Sequence, residues 1–570
     1  MNSSFSSNAN GLTAAEAMVR IRMAMQQRDL AGALSYAEAG RRQHPNDAAL
    51  ADTAGDLALK SGDARSAVEH FEAASKLAPD NLDYILNQAI ALQRLGRDTD
   101  AIILLEKHEK RGRKVAKYCS IRALSHRSLG APAKAAQWYD AVLAIEPRHP
   151  RALHGRARVA LERGEPDALA RFDAALAINR GDADLWLGKA QALDVAGDIA
   201  GARRVAEQLC DQAPGFIAAL TFLSGLKLAN GEDDFAAPFR AAATKAPQDP
   251  NIAATHIETL AGLDHSEKAA QVAGEARVRF PNEAHFTLQE AIQLGAAGDW
   301  QGAERAFAQL PPETPNRAVH EARHRLRAHQ LSQANALLDR ALADNPWDIS
   351  IWATRGIAWR LGQDEHSRER AAWLHEQKGL VQFVPLAGRS GLIDDVTGEL
   401  QSLHQGSAMP LGQSLRGGTQ TRGILFHRTE PLLAELADAI LATLNDYRSQ
   451  LPAADPTHPL LRLRDAPWRL AGSWSVRLTG GGDHHSAHIH QLGVISSALY
   501  LVVPDEVEGP EQRGWLELGR PKPDLGLSLP PFRTIKPKVG HLALFPSTAY
   551  HGTAPFSSAE RMTVAFDVVS

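Results

Sequence analysis

Seven prolines, Pro45, Pro79, Pro147, Pro214, Pro247, Pro281 and Pro346, stand at intervals of 34, 68, 67, 33, 34 and 65 residues. Every interval lies within three residues of a multiple of 34, so the first two thirds of this 570-residue chain is built on one repeating unit. Proline lacks an amide hydrogen and clashes with the turn before it, so one proline per unit marks the end of a helix. Twelve residues before most of these prolines comes an alanine, at Ala33, Ala67, Ala135, Ala202, Ala269 and Ala334. A side chain that small lets two helices approach closely. The unit from Ala48 to Pro79 adds Gly55 on a first helix and Phe71 and Ala74 on a second; Trp186, and then Trp352 with Gly356, recur at the matching first-helix positions.

A helix-turn-helix unit of this length and pattern resembles the tetratricopeptide repeat, and residues 13–375 are identified as an array of about ten or eleven. The repeat ends near Arg113 and Arg180 lack their proline. The resemblance implies an all-α solenoid in which each repeat buries its apolar stripe against its neighbours, curving into a groove of the kind that holds a peptide or helix of another protein. A rigid spacer or a dimerisation surface is the plainer use of such an array.

Two short motifs inside the array are better read structurally. His320-Glu321-Ala322-Arg323-His324 fits the H-E-x-x-H pattern of a zinc peptidase. In the repeat register, however, it falls on a first helix with Ala322 at the small-residue position of Gly55, and no histidine follows at the extended spacing. The basic run Lys107 to Lys117 sits at a repeat end without its proline, where cations suit the negative end of a helix dipole.

From about Leu380 the alanine-rich texture gives way to Gly, Pro, Ser and β-branched residues, and a second domain is expected over residues 380–570. One helix is predicted at Pro431 to Leu451, from the spacing of Leu433, Leu436, Ile440, Leu441 and Leu444. Strands are predicted at Gly472 to Leu478, Ser496 to Val503, Gly514 to Leu518, His541 to Phe545 and Arg561 to Val569. Strands separated by Gly and Pro turns, with no alternating helices, predict a mainly-β barrel or jelly roll with flanking helices.

The segment Asp483-His484-His485-Ser486-Ala487-His488-Ile489-His490 holds four histidines in seven residues. On a strand, His488 and His490 face the same side, so two imidazoles can share one metal. The candidate third ligand is His551, and ten residues later Arg561 opens the last strand. There Arg561, Thr563 and Ala565 share one face and Met562, Val564 and Phe566 the other, predicting a polar cavity on one side and a packed core on the other.

The runs HIHQLGVISSALYLVVP, GWLELGRP, KPKVGHLALFPSTAYHGTAPF and RMTVAFDVV, with QSLRGGTQT and GSWSVRL upstream, resemble the 2-oxoglutarate-Fe(II) oxygenases that follow tetratricopeptide repeats in bacterial proteins. The resemblance implies a double-stranded β-helix holding Fe(II) through His488, His490 and His551. A facial set of three ligands leaves three cis positions open, enough for a chelating 2-oxo acid and oxygen. Arg561 would then bind the far carboxylate of 2-oxoglutarate through its planar fork, with Tyr500 adding a hydroxyl donor. The implied reaction is hydroxylation, coupled to conversion of 2-oxoglutarate to succinate and carbon dioxide. The chain departs from the superfamily in one place, because His490 stands where Asp or Glu is usual and leaves the metal one charge more positive. Asp483 is a candidate carboxylate should its loop fold back. His484 and His485 are loop residues without an assigned role, and Arg477 is expected in a surface ion pair.

Two other readings compete. Gly482, six residues before His488, also begins a cupin pattern, but Val494 and Ile495 stand where cupins carry glutamate; a three-His dioxygenase without 2-oxoglutarate would follow. A tetratricopeptide adaptor with a catalytically silent barrel is the alternative from another class.

Bulk properties set outer bounds. Hydrophobic residues at 44% and charged residues at 22% are ordinary for a chain that folds in water. A net charge of −4 offers no basic field for nucleic acid or an anionic membrane. Cys119 and Cys210, the only cysteines, are too few for a disulfide framework. The first twelve residues, MNSSFSSNANGL, have neither the basic nor the apolar region of a secretion signal. A cytoplasmic protein whose partner is a protein or peptide is therefore expected.

Overall fold

A computed structural model describes residues 11–557 and 559–570; most of the N-terminal segment considered for targeting lies outside the described residues. By compactness the chain divides into residues 1–188 and 189–570. The first unit holds helix pairs from Ala14–Gln26 with Leu30–Gln43 through Pro150–Glu162 with Ala168–Ile178. The second holds pairs from Ile217–Ala229 with Ala237–Lys245 through Ile349–Leu361 with Glu365–His375, followed by the β-rich region. Between these sets in sequence come Ala183–Val195, inside which the division falls, and Ile199–Gln212.

The proline register has a direct structural cause. Second helices end at Gln43, Leu77, Ile145, Gln212, Lys245, Arg279 and Asp344, each two residues before its proline. The intervening residue, as at Ala78 with φ −136° and ψ 71°, has left the helical region under the steric demand of the ring that follows. Aspartates restart the chain: the side chains of Asp29, Asp63, Asp198 and Asp299 each accept the amide three residues on. All six of the register alanines are fully buried. A Cβ built on Gly55 would lie 2.7 Å from the Phe71 ring, so the first helix can seat that phenyl only where it carries hydrogen. At the repeat end near Arg113, a short extra helix, Glu109–Gly112, replaces the missing proline. In the basic run, Arg111 pairs with Asp80, Arg113 with Glu109, and Lys117 donates to Asn87, as solvated helix ends do.

The β-rich region has eleven strands: β1 (Gln382–Pro385), β2 (Leu415–Arg416), β3 (Thr419–Gln420), β4 (Arg469–Leu478), β5 (His484–His485), β6 (Ile495–Val502), β7 (Leu516–Leu518), β8 (Arg533–Ile535), β9 (His541–Pro546), β10 (His551–Thr553) and β11 (Arg561–Val569). Six form an antiparallel sheet in the order β1-β9-β6-β11-β4-β3. A smaller sheet, β10-β7-β8, and the pair β2-β5 complete the region. Helices Leu392–Gln405 and Pro431–Ser449 cover one face of the large sheet, packing Val396, Leu400, Leu436 and Ile440 against Leu499, Leu544, Val564 and Phe566. On the other face Tyr500, Ala543 and Phe545 pack against Leu516 and Leu518 of the small sheet. This is compatible with the jelly roll expected.

All five predicted strands form, and the predicted helix ends two residues early, at Ser449. Helix Leu392–Gln405 and the strands β1, β2, β3, β5, β8 and β10 lie outside the predicted elements; strands of two to four residues are too brief to show a period.

The C-terminal repeats and the β-rich region share a core. Leu525 and Tyr550 pack with Val319, Leu326 and Ile357, joined by Ile489 and Leu527. Polar ties reinforce it: Arg327 Nη2 donates to Asp524 at 2.9 Å, Arg360 donates to the carbonyls of Gly519 and Pro530, and His375 Nε2 lies 3.0 Å from Thr548 Oγ1. No helix among the described residues is long and apolar enough to cross a membrane.

Candidate metal centre

His488, His490 and His551 converge. One nitrogen from each lies within 4.8 Å of the others, and no other such group of three His, Cys, Asp or Glu occurs among the described residues. His551 opens β10 in the small sheet. His488 lies outside any regular strand, contrary to the expectation of a histidine-bearing strand. It is held by a single antiparallel bridge to His551, with amide-to-carbonyl bonds of 3.0 and 2.9 Å. That bridge sets the two imidazole rings 4.2 Å apart. Gly552 permits the close approach, since a Cβ there would stand 2.9 Å from the His485 carbonyl oxygen. Ile489, between the paired histidines, packs toward the repeats.

The imidazoles are oriented by what their other nitrogens meet. His488 Nδ1 lies 2.8 Å from the Ser486 carbonyl, His551 Nδ1 3.2 Å from that of Ala549, and His490 Nδ1 against the Asp567 carboxylate. All three partners are acceptors, so each Nδ1 carries the proton and each Nε2 presents a lone pair. The Nε2 atoms of His488 and His490 then face each other at 3.1 Å, two acceptors that a shared cation would reconcile. Burial holds His488 and His551 neutral, far below the ordinary imidazole range.

These histidines line a cavity of about 440 Å³ with Trp474, Arg561, Thr563, Ala565 and Asp567. The alternation predicted for β11 holds: Met562, Val564 and Phe566 enter the helix-covered core, and the intervening residues face the cavity. Arg561 is 2% exposed and its Nε has no hydrogen-bond partner. Tyr500 is fully buried with its Oη turned toward Arg561, whose guanidinium carbon lies 5.2 Å from the tyrosine ring centroid. Burial pushes the arginine pKa down and the phenol up. A buried guanidinium with no carboxylate partner among the described residues, beside the Tyr500 hydroxyl, is a seat for an anion.

The sequence reading missed Asp567. The signal was the β11 alternation itself: two residues beyond Ala565 the same face carries a carboxylate. Gly493 leaves room for it, with a Cβ there only 3.3 Å from that of Asp567. Asp483 stays out of the site, accepting from the Thr479 amide at 3.0 Å. His485 reaches the cavity wall, its ring 5.7 Å from that of His488; burial, with Arg561 nearby, lowers it to about 3. His484 meets only the Gly482 carbonyl, and Arg477 is paired with Glu560 at 3.0 Å. In the array, His324 is wholly buried against Trp300 and Phe307 with Glu304 at 3.2 Å, and Glu321 is bound by Arg317 and Arg325. That helix has no third ligand among the described residues.

Residues 53–116 and 153–215 match the tetratricopeptide repeat family. A 249-residue stretch, 42% of this chain, is 25% identical to "Cellulose synthase operon protein C" of Pseudomonas fluorescens, of which it spans only 19%. A tetratricopeptide repeat protein from Parabacteroides merdae aligns at 21% identity over 42% of this chain and 95% of its own, with a TM-score of 0.35. YrrB, titled a TPR protein with an unusual peptide-binding site, aligns at 17% over 33% and 94%, with a TM-score of 0.28. Residues 472–567 match the family described as "Putative 2OG-Fe(II) oxygenase". The chain thus carries tetratricopeptide repeats and, at its C-terminal end, a domain of that oxygenase family.

Proposed function

We propose that this protein is an Fe(II)- and 2-oxoglutarate-dependent oxygenase that hydroxylates a protein or peptide held by its repeats. The observation that carries the reading is the common polarity of three converging imidazoles: every Nδ1 is spent on an acceptor, which leaves three Nε2 lone pairs on rings that each bring a nitrogen within 4.8 Å of the others. His488, His490 and His551 would hold the iron. Bound iron and 2-oxoglutarate together supply oxidising chemistry that no side chain here possesses.

The protein's own part is binding, orientation and exclusion of water. Arg561 would receive the far carboxylate of 2-oxoglutarate through two charge-assisted hydrogen bonds, and Tyr500 Oη would donate a third. Asp567 fixes the His490 ring and would place a negative charge behind that ligand, on the side of the ring away from the ion, answering the missing carboxylate ligand. Leu516, which lines the cavity, packs into an apolar layer with Phe545 and Leu518 that would help to exclude water from the reacting groups. Three imidazoles without a carboxylate ligand also suit a dioxygenase that needs no 2-oxoglutarate, in which the buried guanidinium of Arg561 would bind a carboxylate of the substrate instead. Anaerobic loading with Fe(II) and 2-oxoglutarate, followed by oxygen, should yield succinate, and His551→Ala should abolish it. Failure to bind either iron or 2-oxoglutarate would leave an adaptor with a silent barrel.

A further inference from the structure

A second cavity, of about 680 Å³, adjoins the metal centre. Its floor is the rim of the β-rich region, Ser486, His488, Gln491 and Lys522, and its wall is the repeats, where Lys268, Gln293 and Arg323 face in. Ser486, His488, Ile489, Gln491, Asp264 and Lys522 line both cavities, so the second opens directly onto the histidine cluster. The fixed core between Ile489, Leu525, Tyr550 and the repeats holds wall and floor in register.

The charges along this space do not cancel. Asp264 is bound by Arg416 and Asp524 by Arg327. Arg323 donates to the hydroxyls of Ser350, at 2.6 Å, and Thr354, at 3.2 Å, and has no carboxylate partner among the described residues. Lys268 and Lys522 are exposed and make no ion pair among the described residues. Against these three cations Glu267 is the one lining carboxylate without an ion pair among the described residues. Gln293 and Gln491 offer amide donors and acceptors of the sort that grip a peptide backbone.

We infer that this junction is the substrate seat, and that it takes an acidic segment of polypeptide, laid between the repeats and the rim with its target residue over the metal centre. The inference rests on the oxygenase reading for what happens to the target residue, but not for binding. The segment's carboxylates meet Lys268, Lys522 and Arg323, and its backbone meets the glutamine amides. The repeats are then one wall of the active site as well as a means of recruitment.

The test uses the full chain, loaded anaerobically with Fe(II) and 2-oxoglutarate, and two fluorescent peptides of equal length, one rich in Glu and one with Lys in those places. Fluorescence anisotropy should show the acidic peptide binding at least about tenfold more tightly, weakening as salt is raised. The exposed double variant Lys268→Glu/Lys522→Glu should lose about tenfold in that affinity, while its Fe(II)–2-oxoglutarate charge-transfer absorption stays that of the parent. Equal binding of the two peptides, no effect of the double variant, or displacement of the acidic peptide by an equal concentration of free glutamate would each overturn the inference. Selective peptide binding without the charge-transfer band would uphold the seat and sink the oxygenase reading instead.

Discussion

Replacing Asp567 separates orientation of the metal site from its charge. In the parent, the carboxylate accepts the His490 Nδ1 proton and turns Nε2 toward the other two rings. Asp567→Asn keeps an acceptor oxygen of the same reach but removes the charge. A hydrogen bond to a charged group contributes about 1.5–3 kcal/mol and a neutral one about 0.5–1.5 kcal/mol, so the Asn variant should lose on the order of 1 kcal/mol, about fivefold in metal affinity. Asp567→Ala frees the ring to rotate and removes the charge as well. Loss of such an outer partner typically costs about 10- to 100-fold in metal affinity, or about 1.4–2.7 kcal/mol. The Asp567 side chain is 19% exposed, so neither change leaves a large void. Anaerobic competition with a chromophoric Fe(II) chelator measures the series directly, and the order should be parent, then Asn, then Ala. An Ala variant that binds as tightly as the parent, or an Asn variant weaker than Ala, would refute the role given to this carboxylate.

Arg561→Ala should raise the 2-oxoglutarate dissociation constant by at least about 30-fold, since removing one side of a buried charge pair costs about 2–5 kcal/mol; iron affinity measured without 2-oxoglutarate should hardly move. His324→Ala should lower unfolding stability by about 2–4 kcal/mol through lost packing on Trp300 and Phe307, with metal stoichiometry unchanged; loss of a bound metal would revive the H-E-x-x-H reading. Ile489→Ala should cost about 0.5–3 kcal/mol and weaken metal binding too, because that partly buried side chain anchors the histidine segment to the repeats. Burial holds His375 at about 3 and His404 and His458 at about 4. An unfolded chain takes up these protons below about pH 6.5 and the folded chain does not, so their contribution is complete above that pH. It declines by about 1.4 kcal/mol per pH unit for each residue as pH falls toward 4. Tm measured from pH 7 down to 4 should drop early in that range, before most carboxylates titrate.

The sequence made some parts of this molecule legible because they are local and periodic. A proline two residues past a helix end, an alanine where helices touch and the alternation along β11 each follow from a few residues' own sterics, and each survives in the structure at the expected position. The metal centre was legible for a different reason: His488, His490 and His551 are chemically rare enough that their types and order suggested a partnership before any contact was known. Asp567 and the junction cavity had neither advantage. An aspartate near a chain end is ordinary, and its meaning comes only from lying against His490 across 77 residues of sequence. Lys268 and Lys522 look like solubilising surface charges until the core formed by Ile489, Leu525 and Tyr550 brings repeats and rim together. The same core explains why the motif Ile489 interrupts should not be treated as an independent cassette. With the histidines on its cavity side and the repeats on its other, that short irregular segment has no strand ladder beyond the single His488–His551 bridge to hold its shape. Packing against the repeats supplies the rigidity that a regular strand would have provided, so the C-terminal repeats belong to the architecture of the candidate metal centre.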